Sequence, residues 1–293
     1  MISKITDIFK EKKKTFSCEF FPPKTEKGVA QLFKSAEELM RYRPDFFSVT
    51  HGAGGSIRDD RTLEIVVKMQ KEFAITVMHH LTCIGHSRRE LANILAKIKD
   101  AGIHNILALR GDPPKDESVW RAHPEGFTYT YQLIRLIKGS GLDFSIGAAG
   151  FPEGHIDCPD REKDSDYLKI KVDSGAEFVI TQLFFDNQYY ADYMERAKRR
   201  DISVRIIPGV IPVTNYLGIK KFCVQCGASI PQAMARIFDE CLDDEDLTYS
   251  RGIEYAVRQS RELLARGAPG LHFYTLNKSD TVGNILKEIS LKD

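Results

Sequence analysis

The feature that most constrains the fold is a regular alternation of two kinds of segment along the chain. Short runs of β-branched and aromatic residues are separated by longer polar segments with helical periodicity. This alternation is the signature of βα units built around a parallel sheet. The eight predicted strands are Thr15–Phe21, Asp45–Thr50, Ile75–Thr82, Asn105–Arg110, Phe144–Ala149, Phe178–Phe184, Val204–Val210 and Leu271–Leu276.

Amphipathic segments fill the gaps between these strands, as the helices of a βα repeat should. The predicted helices are Val29–Arg41, Arg61–Phe73, Arg88–Ala101, Thr128–Lys138, Ser165–Ser174, Gln188–Arg200, Asn215–Cys226, a longer excursion over Pro231–Arg266, and a last helix after Lys278.

Eight uninterrupted units favour a closed α/β structure, the (β/α)₈ TIM barrel, and we expect residues 1–293 to form one catalytic barrel domain. The alternative is an open doubly wound sheet. That fold usually carries a glycine-rich phosphate loop after its first strand, where this chain has Phe21-Pro22-Pro23-Lys24. The sequence therefore favours the barrel.

Composition excludes several classes of partner. Lysine and arginine total 42 against 41 aspartate and glutamate, so the charge balance provides no field that would attract nucleic acid or an acidic membrane. We see no apolar run long enough to span a bilayer and expect a cytoplasmic protein. Six cysteines spread over 293 residues suggest free thiols rather than a disulfide framework.

In a barrel, chemistry collects at the C-terminal ends of the strands, so polar residues at those ends are candidates for function. Glu19 lies between Cys18 and Phe20, and this apolar setting favours a carboxylic acid that keeps its proton and can donate it. A buried salt bridge to Arg110 or to a barrel lysine is an equally weighted interpretation.

Asp112 follows Arg110 and Gly111 at another strand end and precedes two prolines, a geometry that suits a ligand contact. An aspartate in a turn or a helix cap has the same sequence setting. Both interpretations stay open.

A metal-dependent barrel hydrolase is a competing hypothesis, with a zinc site formed by His79, His80, Cys83 and His86. Adjacent residues of a strand point to opposite sides, so His79 and His80 cannot face one metal ion, and we predict no metal. The Cys223–Cys226 pair has redox-motif spacing but lies in a predicted helix, so we expect two packed thiols.

Two further patterns are ambiguous. Gly52-Ala-Gly-Gly55 could allow a ligand to approach closely or could form a tight turn. The pairs Phe20-Phe21 and Phe184-Phe185 are predicted as core.

Seven blocks, in order over nearly the whole chain, resemble the methylenetetrahydrofolate reductase family in its short bacterial-type form without the regulatory domain. They are Ser17-Cys-Glu-Phe-Phe-Pro-Pro-Lys24, Ser48-Val-Thr-His-Gly-Ala53, His80-Leu-Thr-Cys83, Ala108-Leu-Arg-Gly-Asp112, Ile180-Thr-Gln-Leu-Phe-Phe-Asp186, Ile207-Pro-Gly-Val-Ile-Pro212 and His272-Phe-Tyr-Thr-Leu-Asn277.

The resemblance implies FAD at the barrel mouth, reduced by NADH or NADPH, and a ping-pong reaction in which methylenetetrahydrofolate then takes the hydride. It implies that Glu19 assists protonation of folate N10, opening the five-membered ring to a 5-iminium cation that becomes 5-methyltetrahydrofolate. The charge of Asp112 would favour hydride leaving the flavin.

The resemblance also assigns binding residues. For FAD they are Thr50, His51, His80, Leu109, Arg110, Gly111, Asp112, Tyr129, Ala149, His155, Asp166 and Lys171. For folate or nicotinamide they are Glu19, Gln182, Phe222, Tyr274 and Lys278.

The chain departs from the family pattern at three places. Cys18 and His51 stand where an apolar residue and a tyrosine are usual, and Lys278 replaces an arginine. The loop Ile156–Asp166 aligns poorly with the family's adenosine-binding segment, so the register at Asp166 is ambiguous by about two residues.

Two partner classes stay open beside small-molecule substrates. The chain could form a homo-oligomer, or it could be a flavin- and folate-binding subunit that receives electrons from a partner protein. An exposed Cys223 or Cys226 would favour the second.

Overall fold

A computed structural model describes residues 3–51, 61–112 and 122–289 of the chain. Its strands are β1 (Thr15–Phe20), β2 (Phe46–Val49), β3 (Thr76–Thr82), β4 (Asn105–Leu109), β5 (Ser145–Gly150), β6 (Phe178–Thr181), β7 (Arg205–Ile207), β8 (Gly209–Val210) and β9 (Gly270–Tyr274). Its helices are α1 (Ile5–Glu11), α2 (Glu26–Met40), α3 (Arg61–Phe73), α4 (Arg88–Asp100), α5 (Thr130–Gly139), α6 (Arg161–Asp173), α7 (Asn187–Lys198), α8 (Tyr216–Cys226), α9 (Gln232–Asp239), α10 (Glu245–Ala265) and α11 (Ser279–Glu288).

The strands form one parallel sheet in the order β7-β6-β5-β4-β3-β2-β1-β9-β8. Its two edges, β7 and β8, are separated in sequence by Pro208 alone, so the sheet closes on itself through this residue. Proline has no N–H to donate, but the carbonyl of Pro208 accepts a bond of 3.0 Å from the amide of His272. The predicted (β/α)₈ barrel is confirmed, and the predicted seventh strand is divided in two.

Three element predictions were wrong in detail. The sixth strand ends at Thr181 instead of Phe184. The excursion Pro231–Arg266 is two helices, α9 and α10, with Asp244 accepting a bond from Leu247 N at the start of α10. Helix α6 begins at Arg161, earlier than predicted, because the carboxylate of Asp160 caps its first amides.

Helix α1 was not predicted, since seven residues give too few turns for a clear periodicity. It closes the N-terminal end of the barrel. Ile5 is fully buried, its amide donates to Asn105 Oδ1 at 2.7 Å, and the ring of Phe9 contacts those of Phe46 and Phe178 edge-on.

Strand side chains alternate between the barrel interior and the helical shell. Apolar residues fill the lower interior, and the fit is close: a Cβ at Gly147 would come within 2.6 Å of the Phe178 ring. Above this layer the inward-facing residues of β1, β2, β3 and β9 are polar, which places the candidate chemistry near the C-terminal mouth. Among the described residues, no helix combines the length and apolar character needed to cross a membrane.

Candidate active site

Glu19 lies inside the barrel with its side chain 15% exposed. Its Oε2 is 3.2 Å from Nε2 of His272, and Nδ1 of His272 is 2.7 Å from the hydroxyl of Ser17. When Nε2–H donates to the Glu19 carboxylate, Nδ1 is an acceptor for the Ser17 hydroxyl. The three side chains therefore form a hydrogen-bonded chain that fixes the orientation of the carboxyl group.

His80 borders Glu19 on the other side. Its Nε2 lies 2.5 Å from Ser48 Oγ and 3.5 Å from Glu19 Oε2. Burial lowers the pKa of His80 to about 4, against the opposing effect of the Glu19 charge, so its ring is neutral near pH 7. His272 thus orients Glu19 and neutral His80 lies beside it, and among the described residues no ion pair joins Glu19 to Arg110 or to a lysine.

Tyr274 crosses the interior above this group. Its hydroxyl donates to the carbonyl of Thr181 at 2.6 Å, and Thr181 Oγ1 accepts from the amide of Gly209 at 2.9 Å. Burial raises the pKa of Tyr274 well above its usual value. The phenol is therefore a fixed neutral group that links β9 to β6 where the seventh strand divides.

The β4 end brings Arg110, Gly111 and Asp112 to the mouth. Arg110 Nη2 bonds Asp157 Oδ2 at 2.7 Å. Gly111 has a φ of +92°, and a Cβ there would overlap Ile84, so only glycine fits the turn. Asp112 is exposed, and its negative charge opposes the burial that lowers the pKa of His155.

Two carboxylates on α6 have opposite surroundings. Asp166 is exposed and bonds Arg200 Nε at 2.7 Å, on the outer face of the helix. Asp164 is buried, and burial raises its pKa to about 6, although the nearby charge of Lys171 opposes the shift. Lys171 is buried too and donates from Nζ to the carbonyl of Ala149 at 2.6 Å.

The remaining predicted residues lie around the mouth with different exposure. Thr50, His51, Leu109 and Gln182 are half-buried at strand ends. The Gln182 carboxamide accepts from the amide of Leu183 at 2.9 Å. His155 bonds the amide of Asp157 through Nδ1, and burial lowers its pKa.

Three other predicted residues are exposed: Tyr129, Phe222 and Lys278. The Tyr129 ring stacks between those of Tyr131 and Tyr167, at centroid distances of 5.5 and 6.1 Å. Phe21, predicted as core, is also exposed at 44% because the chain leaves the sheet after Phe20.

The cysteines are free thiols, as predicted. Cys223 is buried and Cys226 is half-buried on α8, and burial raises the pKa of Cys223 to about 12. A protonated thiol is a poor nucleophile and a poor redox centre. This environment does not favour the electron-relay role that an exposed pair would have supported.

The two adjacent histidines face opposite sides, as the strand geometry predicts. His80 faces the interior, and His79 packs in the outer shell, where burial lowers its pKa to about 3. Among the described residues, no three or more His, Cys, Asp or Glu side chains are arranged so that they could hold a metal ion. The glycine segment 52–55 lies outside the described residues.

Sequence reasoning missed four residues of this site: Ser17, Ser48, His272 and Asp164. The first three could have been found from the period of two in a strand, because Ser17 shares a face with Glu19, Ser48 with Thr50 and His272 with Tyr274. Asp164 required the helix phase of α6, since it lies seven residues, or two turns, before Lys171.

Sequence comparison identifies relatives over nearly the full chain. The profile of the family described as methylenetetrahydrofolate reductase matches residues 4–290. The 5,10-methylenetetrahydrofolate reductase of Escherichia coli is 37% identical over 264 residues, covering 90% of this chain and 86% of that protein. Methylenetetrahydrofolate reductase (NADH) 1 of Arabidopsis thaliana is 35% identical and covers 100% of this chain, which spans about half (51%) of the plant protein.

Solved structures with the same fold are more distant in sequence. A Clostridium thermocellum protein, whose description says that it binds two copies of 5-methyl-5,6,7,8-tetrahydrofolic acid, aligns with a TM-score of 0.63 at 15% identity. The alignment covers 97% of this chain and 96% of that one. Tryptophan synthase of M. tuberculosis aligns with a TM-score of 0.57 at 11% identity, covering 100% of both chains. These similarities support the barrel fold.

Proposed function

Because the chain belongs to the methylenetetrahydrofolate reductase family, we propose that it reduces 5,10-methylenetetrahydrofolate to 5-methyltetrahydrofolate with hydride from NADH or NADPH. We propose that residues 1–293 act as one catalytic barrel in the cytoplasm. The observation that carries the proposal is the carboxyl group of Glu19, held 3.2 Å from His272 inside the mouth of the barrel.

Glu19 is the proposed proton donor. Opening the five-membered ring of the substrate requires a proton on N10, and a carboxyl group oriented by His272 is a general acid with a fixed direction. Neutral His80 adds no positive charge beside it, and neutral Tyr274 adds no negative charge. The hydride then reduces the resulting iminium carbon to the methyl group.

FAD is the proposed cofactor, and the residues at the mouth fit it. It would carry hydride from the nicotinamide to the folate in two separate half-reactions. Arg110, Lys171 and His155 gather donors that suit a diphosphate. The ammonium of Lys171 has three donors, so its bond to Ala149 leaves others for an anionic ligand.

Thr50, His51, His80, Leu109, Gly111 and Ala149 are proposed to line the flavin, and the exposed stack at Tyr129 suits a planar ring. We propose Asp164 in the cofactor role that the resemblance gave to Asp166. Asp164 shares the buried face of α6 with Lys171, whereas Asp166 is neutralised by Arg200 on the outside.

The other substrate contacts are proposed from the family resemblance. We propose that Gln182 bonds the pterin, that Phe222 packs on an aromatic or nicotinamide ring, and that Tyr274 and Lys278 face the folate. The carboxylate of Asp112 would stabilise the cationic folate and disfavour electron density on the flavin, which drives hydride transfer.

Anaerobic half-reactions test the proposal. Purified protein is mixed with FAD, reduced with NADH or with NADPH, and then supplied with methylenetetrahydrofolate while flavin absorbance and 5-methyltetrahydrofolate are followed. We expect reduction by a nicotinamide alone and reoxidation by the folate. Reduction only after a partner protein is added would support the subunit alternative, and a reduced flavin that ignores the folate would overturn the proposal.

A further inference from the structure

The turn after β9 is fastened to the end of β1 by a single side chain. Oδ1 of Asn277 accepts from the amide of Phe21 at 3.0 Å, and its Nδ2 donates to the carbonyl of Phe21 at 2.8 Å. In a parallel ladder, the N–H and C=O of one residue bond two different residues of the neighbouring strand, whereas here one carboxamide bonds both groups of Phe21. The carboxamide of Asn277 thus continues the β1–β9 pairing beyond the partners Glu19 and Tyr274.

The same turn holds the main chain of Glu19. The carbonyl of Glu19 accepts from Thr275 N at 3.2 Å and from Thr275 Oγ1 at 2.6 Å. The amide of Asn277 donates to Thr275 Oγ1 at 3.0 Å, which orients that hydroxyl. Ser35 on α2 anchors the turn through a bond of 2.9 Å to the carbonyl of Asn277.

The turn adopts a backbone conformation that few side chains accept. Leu276 and Asn277 have φ of 50° and 59°, both in the left-handed region. Asparagine tolerates this region and leucine rarely adopts it. Leu276 is 41% exposed, so core packing does not account for its conformation. Such backbone persists where surrounding bonds over-determine it, commonly at functional sites.

We propose that Asn277 is a positioning residue for the proton donor Glu19. Its carboxamide fixes the last residues of β1, and through them the direction in which the Glu19 side chain leaves the strand towards His272. The role is distinct from substrate contact, because the carboxamide is buried and both of its polar atoms bond the main chain of Phe21. The inference rests on the proposed function, in which Glu19 donates the proton.

The test is Asn277→Gly, which keeps the left-handed conformation and removes both side-chain bonds. We expect flavin reduction by the nicotinamide to stay within about twofold of wild type, since that step does not use Glu19. The folate half-reaction should slow about 10²-fold, as for a catalytic group displaced by about 1 Å. The loss should appear in kcat with little change in the KM for folate.

Two variants complete the design. Asn284→Ala removes an asparagine of α11 that donates to Tyr249 Oη, and it should leave both half-reactions unchanged. Asn277→Asp keeps the acceptor for Phe21 N and loses the donor to Phe21 O, so its folate half-reaction should fall between those of wild type and Asn277→Gly. If Asn277→Gly does not fold, the folate half-reaction of Asn277→Asp is compared with that of wild type instead.

The inference is overturned if the folate half-reaction of Asn277→Gly equals that of wild type, or if both half-reactions slow equally, which would indicate general loss of structure. A wild-type protein that never passes hydride to folate would instead overturn the proposed function. The two failures are therefore distinguishable.

Discussion

His272 Nε2 lies 3.2 Å from Glu19 Oε2, although the two residues are 253 positions apart in the sequence. The contact exists because β1 and β9 are neighbours in the closed sheet, with Glu19 and Tyr274 in register. The last strand of the chain thus supplies the group that orients a carboxyl on the first. The geometry of the Glu19 carboxyl group therefore depends on closure of the sheet between β1 and β9.

Replacing Glu19 with glutamine keeps the shape of the side chain and removes the acidic proton. We expect reduction of the flavin by NAD(P)H to continue and the folate half-reaction to fall by about 10²–10⁴. Rapid-mixing absorbance measures both steps. Glu26→Gln, at an exposed residue of α2 paired with Arg61, is the matched control. Wild-type folate turnover in Glu19→Gln would remove the residue from its role.

Replacing His272 with phenylalanine keeps a ring in the barrel and removes the donor to Glu19. The carboxyl group loses its orientation, so the folate half-reaction should slow roughly 10–10²-fold. Ser17→Ala removes only the more distant bond of the chain, and a smaller effect is expected. Equal rates in both variants and wild type would show that the hydrogen bonds from Ser17 through His272 to Glu19 do not contribute to the reaction.

Replacing Asp112 with asparagine removes a fixed negative charge at the mouth. The midpoint potential of the bound flavin should rise, and the folate half-reaction should slow by roughly one to three decades. Spectroelectrochemistry of the reconstituted protein gives the potential. An unchanged potential would contradict the placement of this charge near the flavin.

The buried ring of His79 should make the free energy of unfolding depend on pH. Burial lowers its pKa from 6.5 to about 3, so the unfolded chain binds a proton that the folded protein excludes. The stabilisation is fully present above pH 6.5 and is lost as pH falls towards 3, by about 1.4 kcal/mol per pH unit. His80, lowered to about 4, acts in the same direction.

Urea unfolding of His79→Leu at several pH values tests this. Leucine is a suitable replacement because the Nδ1 atom of His79 is buried and has no hydrogen-bond partner among the described residues that the change would remove. The variant should lose less stability than wild type between about pH 6.5 and about pH 4. Parallel curves for the two proteins would show that His79 does not cause the acid sensitivity.

Helix α1, which closes the N-terminal end of the barrel, should contribute to the stability of the fold and not to the reaction. Ile5→Ala removes a fully buried side chain at the closed end of the barrel and should lower the free energy of unfolding by about 2–5 kcal/mol. Both half-reactions per folded molecule should stay unchanged, because the mouth lies at the opposite end. A selective loss of folate turnover would contradict this separation of the two ends.

The βα repeat, the barrel and the strand that carries Glu19 could be predicted from local patterns, because the hydrophobic period of a strand or a helix is a local property. The opposite facing of His79 and His80 could be predicted in the same way, since side chains of a strand alternate. Helix α1 and the division of the seventh strand at Pro208 were not predicted from the sequence, because a short helix and a broken strand depend on what they pack against.

Which polar groups meet depends on how the sheet closes in three dimensions. The bonds of Glu19 to His272, of Asn277 to Phe21 and of Arg110 to Asp157 join elements separated by 253, 256 and 47 positions. The difference between Asp164 and Asp166 came from the phase of one helix against the barrel. Closing the sheet brings distant strand ends to a common mouth, and no local pattern encodes which side chains then lie within bonding distance.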